Sequence, residues 1–369
     1  MAHGVLQPSK SKSPSAAVIN GRFLAKPSSG VSRVGIELLR ALAEALAERG
    51  SPTRVRVAVP RAIALNDFSN SQALVPMRGF SSNLGVQLVL PLLYRDATVL
   101  SFCNETPLLA ARSVLWIHDT NIFDAPDSYP RSYRLWHHAI LKAAQLRRFD
   151  VVTVSAHSRG RLIERGLAPD KVRVIHNGGD HILRAQSDPG VLATVGLRER
   201  EYILLVGSPA RHKNLPFAVQ ALLPRCSPRL RLAVLGLSQT GPYTDAGALA
   251  ESPHLTILPR VDDAQLRALY SGARAVVSPS FAEGFGLYAA EAMFAEAGPL
   301  VLSNRGSLPE VGGAAALYFD PTEPSSLRDA LDDALRPETA QRLAAAARIQ
   351  REKFRWRKAA AEVIEHYLD

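Results

Sequence analysis

At 369 residues the chain is too long for one ordinary domain and suits two of roughly 150–200 residues. Its apolar residues, 47% of the total, can fill two cores. The two cysteines, Cys103 and Cys226, exclude a disulfide framework or a cysteine metal cluster and fit a reducing compartment. The formal charge of +10 is uneven: residues 1–187 hold 24 Lys and Arg against 13 Asp and Glu, and the remainder holds 20 against 21. The first half alone is basic, which fits an anionic partner (lipid phosphate, membrane surface or nucleic acid) or simply a basic soluble surface.

Residues 1–15, rich in Ser, Lys and Pro, read as a disordered tail. Lys10 and Lys12 precede no apolar run, so this is not a signal peptide, and nowhere do about 18 apolar residues form a spanning segment. A strand at 17–20, a loop containing Gly30, a helix over 32–49 and a strand at 55–59 open the fold. The helix is read from Val34, Leu38, Leu39, Leu42 and Leu46. This β-loop-α-β order predicts a parallel sheet with helices on its faces. The loop from Ser29 to Arg33 sits at the carboxyl edge of that sheet, as a ligand loop or an ordinary βα turn. Residues 62–95 show no clear pattern, and 90–93 reads as a helix end or a loop.

Buried strands follow at 99–102 and 114–117, the second running into His118 and Asp119. A His there is either structural or reaches the space above the sheet edge, and Asp119 orients its ring or meets an acceptor. The helix over 131–148 is read with Leu135, Ala139, Ala143 and Leu146 inward. Arg131, Arg134, His138, Lys142 and Arg148 lie elsewhere on it, either solvated or facing anionic lipid. A strand at 151–154, a helix cap at Ser155 and a strand at 172–175 complete the first domain, and polar residues 181–200 make the linker.

The pattern restarts with a strand at 202–206. A loop carrying Gly207, Ser208, Arg211 and Lys213 leads into the next helix, where a cation meets phosphate presented to free N–H groups. Strands at 232–235 and 255–258 precede Arg260, Val261 and Asp262. The stretch 276–303 then organises the second half. A strand is broken at Ser278, and Glu283, Gly284, Phe285 and Gly286 form a tight loop. A helix over 287–297 carries Glu291, and Gly298 and Pro299 stop it. Glycines admit a ligand to the backbone, and a helix start favours phosphate. Taken singly, Glu283 caps a helix and Glu291 is a solvated helix residue; with Lys213 they read as a site. Residues 325–369 are helical in pattern, interrupted at Phe354, Arg355 and Trp356.

Glu283-Gly284-Phe285-Gly286-Leu287, with Glu291 eight residues after the first acid, resembles the signature of retaining, nucleotide-sugar-dependent glycosyltransferases of family four (group 1 type). The resemblance implies a GT-B fold: two Rossmann-like domains facing each other across a cleft, the last helix crossing back to the first. That gives an acceptor-side domain over 16–187 plus about 355–369, and a nucleotide-sugar domain over 188–354. It assigns Glu283 to the donor sugar, Glu291 to the ribose and Lys213 to the diphosphate. Gly30, Ser208, Gly284, Phe285, Gly286 and Leu287 line the nucleotide sugar, and Arg260 and Val261 the base. His118 lies near the donor sugar, with Asp119 and Arg33 toward the acceptor. Two departures change side chains: Tyr288 replaces the usual Pro, and Ser208 replaces a frequent Arg whose charge Arg211 is expected to supply. The segment from Glu291 to Pro299 is also one residue longer than the commonest form.

The function implied is hexose transfer from a nucleoside diphosphate sugar to a glycan or polyprenyl-diphosphate-linked acceptor in surface polysaccharide assembly. GDP-mannose ranks first because the loop Gly207-Ser208 followed by His212-Lys213-Asn214, and the strand end Ile117-His118-Asp119, resemble those of members that use it; UDP-hexose and dTDP-rhamnose follow. No cofactor or metal is expected, since Lys213 and a helix start already face the diphosphate and no Asp-x-Asp pair appears. The place of action is cytoplasmic, with the basic half on an anionic membrane face and no nucleic-acid partner. The rivals are a nucleotide-binding oxidoreductase, weakened by the absence of Gly-x-Gly-x-x-Gly in the first loop, and a non-catalytic binder of anionic polymer.

Overall fold

The computed structural model describes residues 17–25, 29–50, 55–60, 74–77, 82–237 and 252–369. The tail at 1–15 and most of 62–81 lie outside the described residues. Among the described residues seven strands form one sheet: β1 (Ala17–Asn20), β2 (Arg56–Pro60), β3 (Leu74–Met77), β4 (Thr98–Ser101), β5 (Arg112–Trp116), β6 (Asp150–Thr153) and β7 (Val172–Val174). Their order is β3-β2-β1-β4-β5-β6-β7. Six more form the second: β8 (Tyr202–Val206), β9 (Arg231–Leu235), β10 (Leu255–Ile257), β11 (Ala275–Ser278), β12 (Leu300–Ser303) and β13 (Ala316–Phe319), in the order β10-β9-β8-β11-β12-β13. Every pairing within the two sheets is parallel. Helices cover both faces, so the strands read as continuous apolar runs; all five residues of β8 are buried. In each half the order reverses at the first strand, and the crevice above the carboxyl ends opens there.

The helix Gly30–Glu48 starts two residues earlier than its apolar spacing predicts, because Ser29 caps it by accepting from Ser32 N. Residues 90–93 are the end of the helix Asn83–Leu93, which contains Pro91. The last helix, Trp356–Tyr367, crosses from the second half to pack Ala359, Ala360, Val363 and Ile364 against Val34, Leu38 and Leu42. Burial of large apolar side chains stabilises by about 1.5–3 kcal/mol each, so this crossing firmly ties the halves together.

The expected inward face of the helix Arg131–Arg147 is wrong. Leu135 and Leu146 are 71% and 73% exposed, while Ile140, Leu141 and Ala144 are buried against Leu115 and Val151. The sequence offers two apolar stripes at helical spacing, and only the sheet decides between them.

Candidate active site

The loop between β11 and the helix Leu287–Phe294 sets the site. Gly286 holds a positive φ of 84° at the helix start, a left-handed conformation that glycine adopts without strain. A Cβ on Gly284 would lie 2.0 Å from the carbonyl oxygen of His118, so only glycine lets the two halves meet here. Ser155 Oγ and Ser158 Oγ seal the contact by donating to the Gly284 carbonyl at 2.7 and 3.2 Å.

Glu283 is buried beneath this loop. Its Oε1 accepts from Lys213 Nζ at 2.6 Å, Ser280 Oγ at 2.9 Å and Tyr288 OH at 3.2 Å. Burial pushes the Glu283 carboxyl up, but the Lys213 ammonium and these donors outweigh it and hold the group below its ordinary value. Tyr288, the departure from the usual Pro, is therefore a working donor; burial raises its phenol and keeps it neutral. Lys213 belongs to the turn Arg211–Lys213, and His212 O accepts from Phe281 N at 2.7 Å, clamping that turn to the glutamate loop.

Lys213, Glu283 and Ser208 open onto a cavity of about 280 Å³ between the halves, whose opposite side includes Asp119 and Asn121. Burial and the neighbouring Glu283 raise the Asp119 carboxyl, and Asn121 N donates to it at 2.9 Å. Arg211 is exposed and is not part of the cavity wall. Phe285 points away from the cavity, packing edge-on to Phe354 at 5.4 Å, and Leu287 is packed into both cores. Leu287 opens the helix, so its backbone N–H is among the free amides at that helix start. The space around Gly30 is open. Arg33 pairs with Asp263 across the cleft at 2.7–2.8 Å. Arg260 is exposed and Val261, two residues before that Asp263, is half-buried.

His118 is structural in its immediate bonding. Its Nε2 lies 2.6 Å from the Phe102 carbonyl oxygen, so Nε2 carries the proton, and burial lowers the ring to about 4, leaving it neutral. The ring does not line the cavity, whereas Asp119 does. Glu291 is likewise engaged. Its two oxygens accept from His181 Nε2 and Tyr270 OH, each at 3.0 Å, and Trp356 Nε1 donates to His181 Nδ1 at 3.1 Å. Each carboxylate oxygen has a second lone pair, so a ribose hydroxyl can still be accepted.

Sequence reasoning missed His181 and Tyr270, which orient Glu291 from distant segments and carry no local signal. It also missed Tyr129, Tyr133 and His137 on the cavity wall. The i, i+4 spacing of Tyr133 and His137 was a usable clue.

Two parallel sheets facing a cleft, a helix crossing back, and a Lys–Glu pair at a glycine-bounded helix start define a GT-B glycosyltransferase. The profile described as "Glycosyl transferases group 1" matches residues 195–350. An O-antigen chain mannosyltransferase B from Escherichia coli is 31% identical over 272 residues, covering 69% of this chain and 70% of that protein. The chain belongs to the group 1 (family four) glycosyltransferases. A D-inositol 3-phosphate glycosyltransferase from Frankia alni is 33% identical over 236 residues, 59% of this chain and 58% of its own length. In fold, a sucrose-phosphate synthase from Thermosynechococcus elongatus superposes with a TM-score of 0.69 at 18% identity, covering 95% of this chain and 98% of that one.

Proposed function

We propose that this enzyme moves mannose from GDP-mannose to a growing surface glycan or its polyprenyl-diphosphate-linked form, with retention at the anomeric carbon. The observation that carries the reading is the pair of half-buried Lys213 and buried Glu283 at the cleft, opposite Asp119. Lys213 and the N–H groups that start the helix Leu287–Phe294 stabilise charge on the departing diphosphate, and Glu283 holds the donor sugar. The acceptor oxygen bonds to the anomeric carbon as the bond to the β-phosphate oxygen breaks; the hydroxyl proton leaves with the nucleoside diphosphate. Glu291 takes the ribose. No metal ion is part of this reading, because Lys213 supplies the cation.

Support for mannose comes from relatives named O-antigen chain mannosyltransferases, the Escherichia coli protein and a Salmonella typhimurium one that is 25% identical over 279 residues. Support for a lipid-linked acceptor comes from the surface of the first half. Leu84, Leu88, Leu92 and Leu93 are exposed on one helix, and Leu135 and Leu146 on another that also bears Arg131, Lys142 and Arg147. No described helix is long and apolar enough to cross a membrane.

Calorimetric titration with GDP, UDP and dTDP tests the donor, and GDP is expected to bind tightest. A clear preference for UDP or dTDP overturns it. Chelation with EDTA is expected to leave the transfer rate unchanged; a loss restored by a divalent cation overturns the metal-free reading.

A further inference from the structure

The chain leaves the first sheet after β7 and returns to that half at Trp356, where the crossing helix Trp356–Tyr367 begins. The outgoing and returning segments lie against each other. Gly179 N donates to the Phe354 carbonyl oxygen at 2.9 Å, and Trp356 N donates to Asp180 Oδ1 at 2.9 Å. A Cβ on Gly178 would lie 2.3 Å from Trp356 N, so no side chain fits there. The outgoing segment also meets the helix Leu287–Phe294. A Cβ on Gly179 would lie 2.7 Å from the carbonyl carbon of Ala290, the residue before Glu291. Residues 178–181 are thus wedged between the crossing helix and the helix that carries Glu291.

A line of hydrogen bonds runs through this wedge. An indole N–H only donates, and Trp356 Nε1 lies 3.1 Å from His181 Nδ1. His181 Nδ1 therefore accepts, the ring proton sits on Nε2, and that N–H donates to Glu291 Oε1 at 3.0 Å. Tyr270 OH donates to Oε2 at 3.0 Å. Trp356, His181 and Tyr270 are all buried, and a bond lost in such an interior is not replaced by bulk water. The Glu291 side chain itself keeps 7% of its surface open. Burial lowers the Arg33 guanidinium, but Asp263, Glu291 and Glu37 together outweigh it, so the Glu291 carboxylate acts on the pair that spans the cleft. Its oxygens have lone pairs to spare, and where those point is set by the groups that hold the carboxylate.

We infer that Trp356 is a positioning residue for ribose recognition: from the crossing helix it fixes the His181 ring, which in turn aims the Glu291 carboxylate at the ribose hydroxyls. This rests on the assignment of the ribose to Glu291. It goes further in making the seating of a helix that packs in the core of the first half a determinant of which nucleotide the second half prefers. Contacts to the diphosphate do not pass through Glu291 and are untouched by it.

Calorimetric titration of the full chain with GDP and 2′,3′-dideoxy-GDP tests this, with the uridine pair run alongside so that the outcome does not depend on the base. Wild type should prefer the nucleotide that has its hydroxyls by about tenfold or more, the scale of a hydrogen bond to a charged group. Trp356→Phe, which removes one N–H, and His181→Leu should cut that preference to about threefold or less, by weakening GDP and not its dideoxy form. His181→Gln keeps a donor and an acceptor and should lie nearer wild type. Full preference in Trp356→Phe, with the preference lost in Glu291→Ala, overturns the role of Trp356 and leaves the ribose reading standing. Equal weakening of both nucleotides also overturns it, since Trp356 would then only support the fold. Should thermal melting show that Trp356→Phe does not fold, His181→Leu decides in its place. No preference in wild type, or full preference in Glu291→Ala, refutes the ribose reading and this inference with it.

Discussion

At the scale of single residues, Lys213 and Glu283 neutralise each other across 2.6 Å before any ligand arrives, and this shapes how each fails. Lys213→Ala should lower transfer about 30- to 1000-fold, the loss of roughly 2–4 kcal/mol of transition-state stabilisation. It also leaves the buried Glu283 carboxylate with only hydroxyl donors, so thermal stability should drop as well. The double variant Lys213→Ala/Glu283→Gln should recover the stability and none of the transfer. Transfer within threefold of wild type in Lys213→Ala would end the diphosphate assignment. His118 gives a second prediction. Burial moves its ring from the ordinary 6.5 to about 4, so below pH 6.5 the unfolded chain binds a proton the folded chain refuses. Stability should therefore fall as pH drops from about 6.5 toward 4, by roughly 2–3 kcal/mol at pH 4.5 from this residue. Urea titrations of wild type and His118→Gln at pH 7 and 4.5 check this; the variant should lose less on acidification. Equal losses would mean that other groups carry the acid response. Glu283 acts in the same direction at lower pH, because its depressed group contributes stability that is lost as pH falls through its folded value.

At the scale of elements, legibility followed the periodicity. The runs that became β8, β11 and β12 are short, apolar and bounded by Gly, Pro or Ser, and a run of that length is too short for a buried helix. The stretch ending in Asn83–Leu93 was opaque because leucines lie on both sides of that helix: Val86 and Leu90 enter the core, while Leu84, Leu88 and Leu92 face outward. The same doubling misled the reading of Arg131–Arg147. Both helices cover one face of the first sheet: Val99 and Leu115 point to them, and Leu100 and Val114 point to the opposite layer. Their outward leucines and arginines form the face proposed for an anionic bilayer. Each basic residue near such a surface is worth about 1 kcal/mol, and the leucines add apolar insertion. Leu88→Asn/Leu92→Asn should cut cosedimentation with phosphatidylglycerol vesicles severalfold while leaving the melting temperature and GDP affinity unchanged. Wild-type binding should weaken as salt rises, because exposed charges are screened over about 10 Å at 0.1 M. Salt-independent binding, or equal binding by the double variant, would remove this face from the membrane reading.

At the scale of the whole molecule, the two-sheet plan was readable because each half repeats the same alternation of strand and helix, but the contacts between the halves were not. They join residues far apart in the chain and obey no spacing. One of them is made by Glu310, in the second half. Its carboxylate accepts from Ala156 N at 2.9 Å and His157 N at 3.2 Å, the first amides of the helix Ala156–Glu164 in the first half, and pairs with His176 Nε2 at 2.8 Å. Burial pushes the Glu310 carboxyl up, but His176 and the two amides outweigh it and hold it low. Glu310 therefore caps a helix that Ser155 already caps from within, through Ser158 N at 3.0 Å. The second cap is not needed to form that helix, so its effect falls on the coupling between halves. Glu310→Ala should remove about 1–2 kcal/mol, the usual worth of a helix cap, and that loss should be concentrated at the interface. Calorimetry should then show the single wild-type unfolding transition broadening or splitting, as the halves unfold more independently. The cleft geometry depends on the same contact, because Gly284, His118 and Ser155 meet beside it. Transfer in Glu310→Ala should accordingly fall more than GDP affinity, whose diphosphate contacts lie in the second half. Glu310→Gln, which keeps an acceptor oxygen for the amides, should lie between. One sharp transition at the wild-type temperature in Glu310→Ala, with unaltered transfer, would show that the crossing helix Trp356–Tyr367 alone holds the halves in register.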